Sequence, residues 1–318
     1  MYPLKLTPPL KHYLWGGDKL KTQFNIKTDE DTVAESWELS CHKDGESIIE
    51  NGRYAGKTLS SYIKAVGTEV LGTNCEDKSS FPVLIKLIDA RNNLSLQVHP
   101  DDEYAFLNEG EPGKTEMWYI IDCEEDAELI YGFKNIISKA EFESSIENNT
   151  LLNVVNNVKV KKGDVFFIKS GTLHAIGKGI VLAEIQQNSN TTYRVYDYGR
   201  VDSNGNQRPL NIEKAIAVTD LLPSKSYSAE KFKQYDGYKT RQLASCEYFK
   251  TYLYSVDTSC EIVADSKSFN SIVVLEGNPV IKYNDGSLPL KKGNSVFIPA
   301  SFGKYTISGQ CELILTKK

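Results

Sequence analysis

Two stretches of the chain, KKGDVFFIKSGTLHAI at 161–176 and KKGNSVFIPASFGKYTI at 291–307, are versions of one unit: a Lys-Lys-Gly turn, a buried strand and a second turn. Eleven residues separate Gly163 from His174 and Gly293 from Lys304, so the correspondence carries through to a single position. A chain that uses such a unit twice is committed to β architecture. Other β-branched and aromatic runs, bordered by Gly, Asn or Asp, agree: PVLIKLIDA, EMWYIID, AELIYGF, GIVLAEIQQ, TYLYSV, SIVVLEG and CELILTKK. Their length favours strands and their number favours a sandwich or barrel, so the fold is expected to be mainly β.

Helices are expected as insertions at TLSSYIKAVGTEVLG, around DDEYAFLNEG, at SKAEFESSIENN and at NIEKAIAVTDLL. The third opens on Ser138 with Glu141 three residues later, the pattern of a capping box. At 318 residues the chain is long for one domain. The polar, weakly patterned stretch 223–245 is where a boundary is expected, dividing residues 1–238 from residues 239–318.

The net charge of −5 provides no basic field for nucleic acid, so a phosphate-bearing ligand would need a local cluster of Lys and Arg. A small-molecule partner is expected. The six cysteines are scattered without a CxxC pair, no run approaches the roughly 20 apolar residues of a membrane helix, and MYPLKLTPPLKHYLWGGDKL has no apolar signal core. A reduced, cytoplasmic setting and no membrane follow as expectations. Nothing in the sequence sets the oligomeric state.

Only four histidines are present, and one lies in LSLQVHPDDEYA. Gln97 and His99 are two apart, which on a strand aims both at one face. Pro100 then ends the strand, and Asp101 and Asp102 suit the first turn of a helix. Glu116 begins the next strand and His174 follows the Gly163 strand, so Gln97, His99, Glu116 and His174 form a candidate metal shell. A single buried histidine is more often a hydrogen-bonded core residue, and His99 alone would decide nothing. In the second copy Lys304 stands where His174 stands in the first, so only one copy keeps a metal-capable side chain there.

GDVFFIKSGTLHAI resembles the second cupin motif, G(x)5PxGxxH, with Lys169 in place of proline and Ser170 in place of alanine. The first motif is looser, with Gln97 and His99 for its paired histidines and Glu116 for its glutamate. LWGGDKL, LSLQVHPDDEYA, GKTEMWYI, SGTLHAIGKGIVLAEIQQNS and TTYRVYDYGR, in this order, resemble the type I phosphomannose isomerases, particularly the short bacterial form, over nearly the whole length. The resemblance implies two cupin-type jelly-roll or β-barrel units with helical insertions. It also implies an enzyme that interconverts mannose 6-phosphate and fructose 6-phosphate with one zinc ion (Zn2+) per chain, held at Gln97, His99, Glu116 and His174.

Moving a proton between C1 and C2 through an enediol requires a Lewis acid for the oxygen and a base for the proton. With Glu116 the only anionic ligand, a divalent ion keeps one net positive charge and stays electrophilic. N and O ligands would also accept manganese, cobalt or iron. The resemblance makes Lys114 the candidate proton carrier, a lysine whose pKa a neighbouring divalent cation should lower. GKT at 113–115 is no P-loop, because Asn108 stands where its first glycine belongs. Arg194 corresponds to the family's active-site arginine, Lys86 to a lysine near the substrate, and Ser95 is a possible hydroxyl donor. Trp15 and Glu35 fall in family-like segments near the pocket. Asn190 stands where aspartate is expected, which puts any acid-base role of that carboxylate in doubt. Two other readings remain open: a sugar-phosphate-binding cupin without chemistry, and a cupin dioxygenase, which should pair its iron with an apolar cavity.

Overall fold

Every apolar run named above forms a strand, and the four expected helices are found at Leu59–Val66, Asp102–Glu109, Lys139–Glu147 and Ile212–Val218. The structure, a computed structural model, describes residues 1–77, 80–201 and 205–318. The mainly β class with helical insertions holds. Ser138 caps Lys139–Glu147 with the reciprocal Ser138–Glu141 capping box, and Asp101 caps Asp102–Glu109 by accepting from Tyr104 N. A short helix at Lys19–Phe24 was not anticipated, since its six residues are too few to show a period.

The strands build stacked sheets. A six-stranded sheet runs in the order Val165–Ile168, Glu116–Cys123, Ile180–Gln187, Val83–Ala90, Glu35–Leu39, Leu10–Lys11. Facing it is a five-stranded sheet of Val155–Lys159, Glu128–Phe133, His174–Ala175, Leu96–Val98 and Tyr193–Tyr196. Residue parity shows how the six-stranded sheet is covered. Val83, Ile85 and Leu87 enter one apolar core with Leu4, Phe269 and Phe297, whereas Ile88 and Ala90 enter another with Leu129, Tyr131 and Ile176. Both faces are therefore covered, all of Val83–Ala90 is buried, and apart from Lys86 and Asp89 the run reads as apolar instead of alternating.

An eight-stranded sheet packs on the far side and is backed in turn by a four-stranded one. The eight-stranded sheet is drawn mostly from the C-terminal part of the chain, but Leu4–Thr7 inserts between Ser295–Ile298 and Ile48–Ile49. The stretch 223–245, read as weakly patterned, contributes Lys233–Tyr235 and Tyr238–Ser245 to its edge. Its polar composition suits an edge hairpin whose first strand is wholly exposed.

The repeated unit makes the same crossing twice. Val165–Ile168 lies in the six-stranded sheet and His174–Ala175 in the five-stranded one; Ser295–Ile298 lies in the eight-stranded sheet and Gly303–Ser308 in the four-stranded one. The two turn glycines, Gly163 and Gly293, have φ of +90° and +85°, a left-handed conformation that favours glycine. His174 ends buried between sheets, while Lys304 ends on the surface, paired with Glu261 at 2.8 Å.

Candidate active site and metal centre

The space between the six- and five-stranded sheets is filled by apolar side chains at one end and by charges at the other. Glu116 opens its strand on the face shared with Trp118 and Ile120, and antiparallel pairing sets His174 directly opposite Gln97. His99 follows Leu96–Val98 immediately, so the two sheets deliver their ligands from opposite sides.

His99, Glu116 and His174, all buried, bring one donor atom each within 4.8 Å of one another. His99 Nε2 lies 3.6 Å from Glu116 Oε2 and His174 Nε2 lies 3.5 Å from Glu116 Oε1. The far side of each imidazole is tied to the backbone: Nδ1 is 2.9 Å from Thr191 O in His99 and 2.8 Å from Thr172 O in His174. Donation from Nδ1 leaves the Nε2 lone pair pointing at Glu116, the tautomer a metal requires. Burial lowers both imidazole pKa values, helped by the Lys114 ammonium, with His174 brought down to about 4. Neither Glu116 oxygen accepts a geometrically sound hydrogen bond, although both are buried. A buried carboxylate that faces two imidazole lone pairs, with the Lys114 ammonium 2.8 Å from one of its oxygens, is a donor set that could also hold a metal ion. These residues fit a metal ion. Gln97 Nε2 is 3.5 Å from His174 Nε2, so its amide borders the same point and, turned over, presents its oxygen.

Lys114 Nζ sits 2.8 Å from Glu116 Oε2, 3.1 Å from His99 Nε2 and 3.8 Å from Glu184 Oε1. Lys114 precedes the strand, which begins at Glu116, yet its side chain still reaches the Glu116 face as expected. Lys86 is buried and held between Glu184 at 3.1 Å and Glu35 at 3.6 Å. Burial pulls the Lys86 pKa down, but the two carboxylates outweigh it and hold the group above its ordinary value. Burial pushes Glu184 up, and the Lys114 and Lys86 ammoniums overcome it, bringing Glu184 down to about 2. Burial and the Glu184 charge raise Glu116, with Lys114 opposing.

These groups open into a cavity of about 330 Å³ whose lining includes Trp15, Glu35, Lys86, Ser95, Gln97, Lys114 and Arg194. The structure thus gathers every substrate-side candidate around one space, with the metal cluster behind Gln97 and Lys114. Arg194 Nε donates to Ser95 Oγ at 3.1 Å and Nη1 to Pro209 O at 3.2 Å. Among the described residues no carboxylate lies within ion-pair distance of Arg194, so its positive charge is unspent. The cavity is charged, unlike the apolar chamber expected of a dioxygenase. Its lining ends at Arg208, so the C-terminal sheet packs behind the site without closing it.

Glu184, Tyr13 and Arg208 also line the cavity and were missed. Glu184 had a signal: it is a lone carboxylate in the apolar run GIVLAEIQQ, paired across the strands with Lys86, the equivalent oddity in PVLIKLIDA. Burial and the nearby Glu35 push the Tyr13 phenol up to about 12. Asn190 Nδ2 donates to Asp44 Oδ2 at 2.8 Å, so the amide that replaces the expected carboxylate ties two loops together at the cavity edge.

Known proteins resemble this chain in sequence and fold. Residues 3–129 match the phosphomannose isomerase type I catalytic domain, and residues 239–317 match the mannose-6-phosphate isomerase cupin domain. The mannose-6-phosphate isomerase ManA of Bacillus subtilis is 39% identical over 99% of this chain and 98% of its own. The chain belongs to the type I phosphomannose isomerases. A further member, the mannose-6-phosphate isomerase of Streptococcus mutans, is 36% identical over 98% of this chain and 97% of its own. The crystal structure of the mannose 6-phosphate isomerase from Bacillus subtilis superposes with a TM-score of 0.93 at 40% identity, covering 99% of both chains. Within this phosphomannose isomerase the second cupin unit keeps the layers and carries Lys304, paired with Glu261, where the first carries His174.

Proposed function

We propose that zinc is the metal of this phosphomannose isomerase, held by Gln97, His99, Glu116 and His174, and that Lys114 carries the proton. The reaction is the interconversion of mannose 6-phosphate and fructose 6-phosphate. The observation that carries the proposal is the convergence of the buried Glu116 carboxylate, two imidazole lone pairs and the Lys114 ammonium at the floor of a cationic cavity. When bound there, the cation would supply Lewis acidity toward the sugar oxygens at C1 and C2.

The residues of the chain divide the remaining work. Lys114 Nζ, when neutral, takes the proton from C2 of the aldose and returns it to C1, while the hydroxyl proton of O2 passes to the neighbouring O1, and the reverse in the other direction. Arg194, whose charge no described carboxylate neutralises within ion-pair distance, stabilises oxyanion character that develops on the enediolate or grips the phosphate. Ser95, already bonded to Arg194, offers its hydroxyl to the same oxygens. Lys86 is neutralised by Glu184 and Glu35, so its part is to hold those carboxylates and lend a proton donor at the cavity wall. Trp15 provides an apolar wall against the sugar ring.

Unpaired thiols at Cys41, Cys123, Cys246, Cys260 and Cys311 support a reduced, cytoplasmic setting. No helix among the described residues is long and apolar enough to cross a membrane.

The test is conversion of mannose 6-phosphate by the purified chain before and after chelation, with zinc, manganese, cobalt or iron returned in parallel. Loss on chelation, best recovery with zinc, and no recovery in His174→Ala are expected. Full turnover by metal-stripped protein would remove the metal from the mechanism.

A further inference from the structure

Three consecutive amides just before the strand Glu116–Cys123 lie outside any sheet ladder, and each finds a distant partner. Gly113 N donates to Asp102 Oδ1 at 2.8 Å, Lys114 N to Pro100 O at 3.0 Å, and Thr115 N to Gln187 Oε1 at 2.8 Å. Gln187 Nε2 donates to Asp102 Oδ1 at 2.8 Å, and Tyr248 donates its hydroxyl to Asp102 Oδ2 at 2.9 Å. Asp102 thus accepts three hydrogen bonds. One comes from the Lys114 segment, one from the residue that holds that segment's other side, and one from the turn between the C-terminal strands Tyr238–Ser245 and Lys250–Val256.

The close approach is specific to this backbone. A Cβ on Gly113 would fall 2.4 Å from the Asp101 carbonyl carbon and 2.5 Å from Asp102 N, so only glycine lets the segment lie against the start of the helix. Asp102 does not line the cavity and touches no proposed ligand. What it controls is the anchor of a four-carbon side chain, whose tip is placed no better than the backbone that carries it.

We propose that Asp102, gripped by Gln187 and Tyr248, is a positioning residue that sets Lys114 Nζ for proton transfer, and that Tyr248 is the contact through which the C-terminal sheet acts on the chemistry. This rests on the reading of Lys114 as proton carrier. It gives the C-terminal unit a task although it contributes nothing to the cavity wall.

The experiment measures kcat and KM for mannose 6-phosphate on the metal-loaded full chain carrying Asp102→Ala, Asp102→Asn, Tyr248→Phe, Lys114→Met, or Asp102→Ala with Lys114→Met. Asp102→Ala is expected to lower kcat about ten-fold or more with KM changed less than about three-fold, because a misplaced group affects the chemical step more than binding. Asp102→Asn should recover most of the rate: its oxygen keeps Gly113 and Gln187, and its amide NH2 meets the Tyr248 hydroxyl oxygen. Tyr248→Phe should move kcat the same way by a smaller factor. On the residual rate of Lys114→Met, adding Asp102→Ala should do nothing further.

A kcat for Asp102→Ala within about two-fold of the parent overturns the inference, as does an equal loss with and without Lys114. If Asp102→Ala does not fold, Tyr248→Phe, which deletes one hydroxyl, is read by the same criteria in both backgrounds. Lys114→Met with the parent's kcat would bring down the proton-carrier reading and this inference with it. An inactive Lys114→Met beside an unaffected Asp102→Ala would bring down the inference alone.

Discussion

Arg194 is the one cation at the cavity whose charge no described carboxylate neutralises within ion-pair distance, so its guanidinium should matter beyond its charge. Arg194→Lys keeps the charge and loses the planar contact with Ser95, and about a hundred-fold drop in kcat/KM is expected in steady-state assays. An unchanged kcat/KM would assign Arg194 to structure. Glu38 makes a separate statement at this scale. It is fully buried where Glu35–Leu39 meets Ser295 of the eight-stranded sheet, with Oε1 accepting from Ser36 Oγ at 2.6 Å and Oε2 without a partner. Burial raises its pKa to about 8, against the lowering effect of Ser36. The folded chain therefore holds a proton that the unfolded chain releases near its ordinary value of 4.5. The resulting stability is complete below that value and is lost as pH rises toward 8. The unfolding free energy of the parent in urea titrations should fall between pH 5.5 and 8.5 by an amount on the order of 2–4 kcal/mol, and Glu38→Gln should flatten that slope. Equal slopes in the two proteins would contradict the assignment.

The capped helix Lys139–Glu147 covers the outer face of the five-stranded sheet through Phe142, which is fully buried with Phe133 at a ring distance of 5.5 Å. Ser138→Ala removes the side-chain half of the capping box, the bond accepted from Glu141 N, and leaves Ser138 N donating to the Glu141 carboxylate; it should cost about 1 kcal/mol in urea unfolding, while kcat stays at the parent value. A change in kcat would show that this layer communicates with the cavity. The helix was legible because its cap and its Glu141 are local signals, satisfied within three residues. Leu96–Val98 and His174–Ala175 were legible as chemistry more than as strands, since two or three residues carry no period. Glu184 marks the limit at this scale. Its position in an apolar run was readable, but its pairing with Lys86 depends on the register between Ile180–Gln187 and Val83–Ala90, which no local pattern states.

Phe81, Phe269 and Phe297 stack between the six- and eight-stranded sheets, with ring centroids 5.4 Å apart for Phe81–Phe269 and 5.2 Å for Phe269–Phe297. Phe297→Ala opens a cavity in that seam and should cost about 3–5 kcal/mol. Because Leu4–Thr7 is woven into the C-terminal sheet, loss of activity and loss of near-ultraviolet dichroism in urea should coincide in both parent and variant. Separate transitions would mean that the sheets unfold independently. The sequence by itself determined the β class, the doubled unit and the capped helices, because turn glycines and caps are written locally; it offered Gln97, His99, Glu116 and His174 as a candidate shell by their spacing, and Lys114, Lys86 and Arg194 through resemblance to a family. Only the tertiary structure decided that Glu184 balances Lys86, that Arg194 has no carboxylate within ion-pair distance among the described residues, and that Tyr248 reaches Asp102. Each of those facts joins residues far apart in the chain, and their distances follow from strand register and layer packing, which are properties of the whole set of contacts.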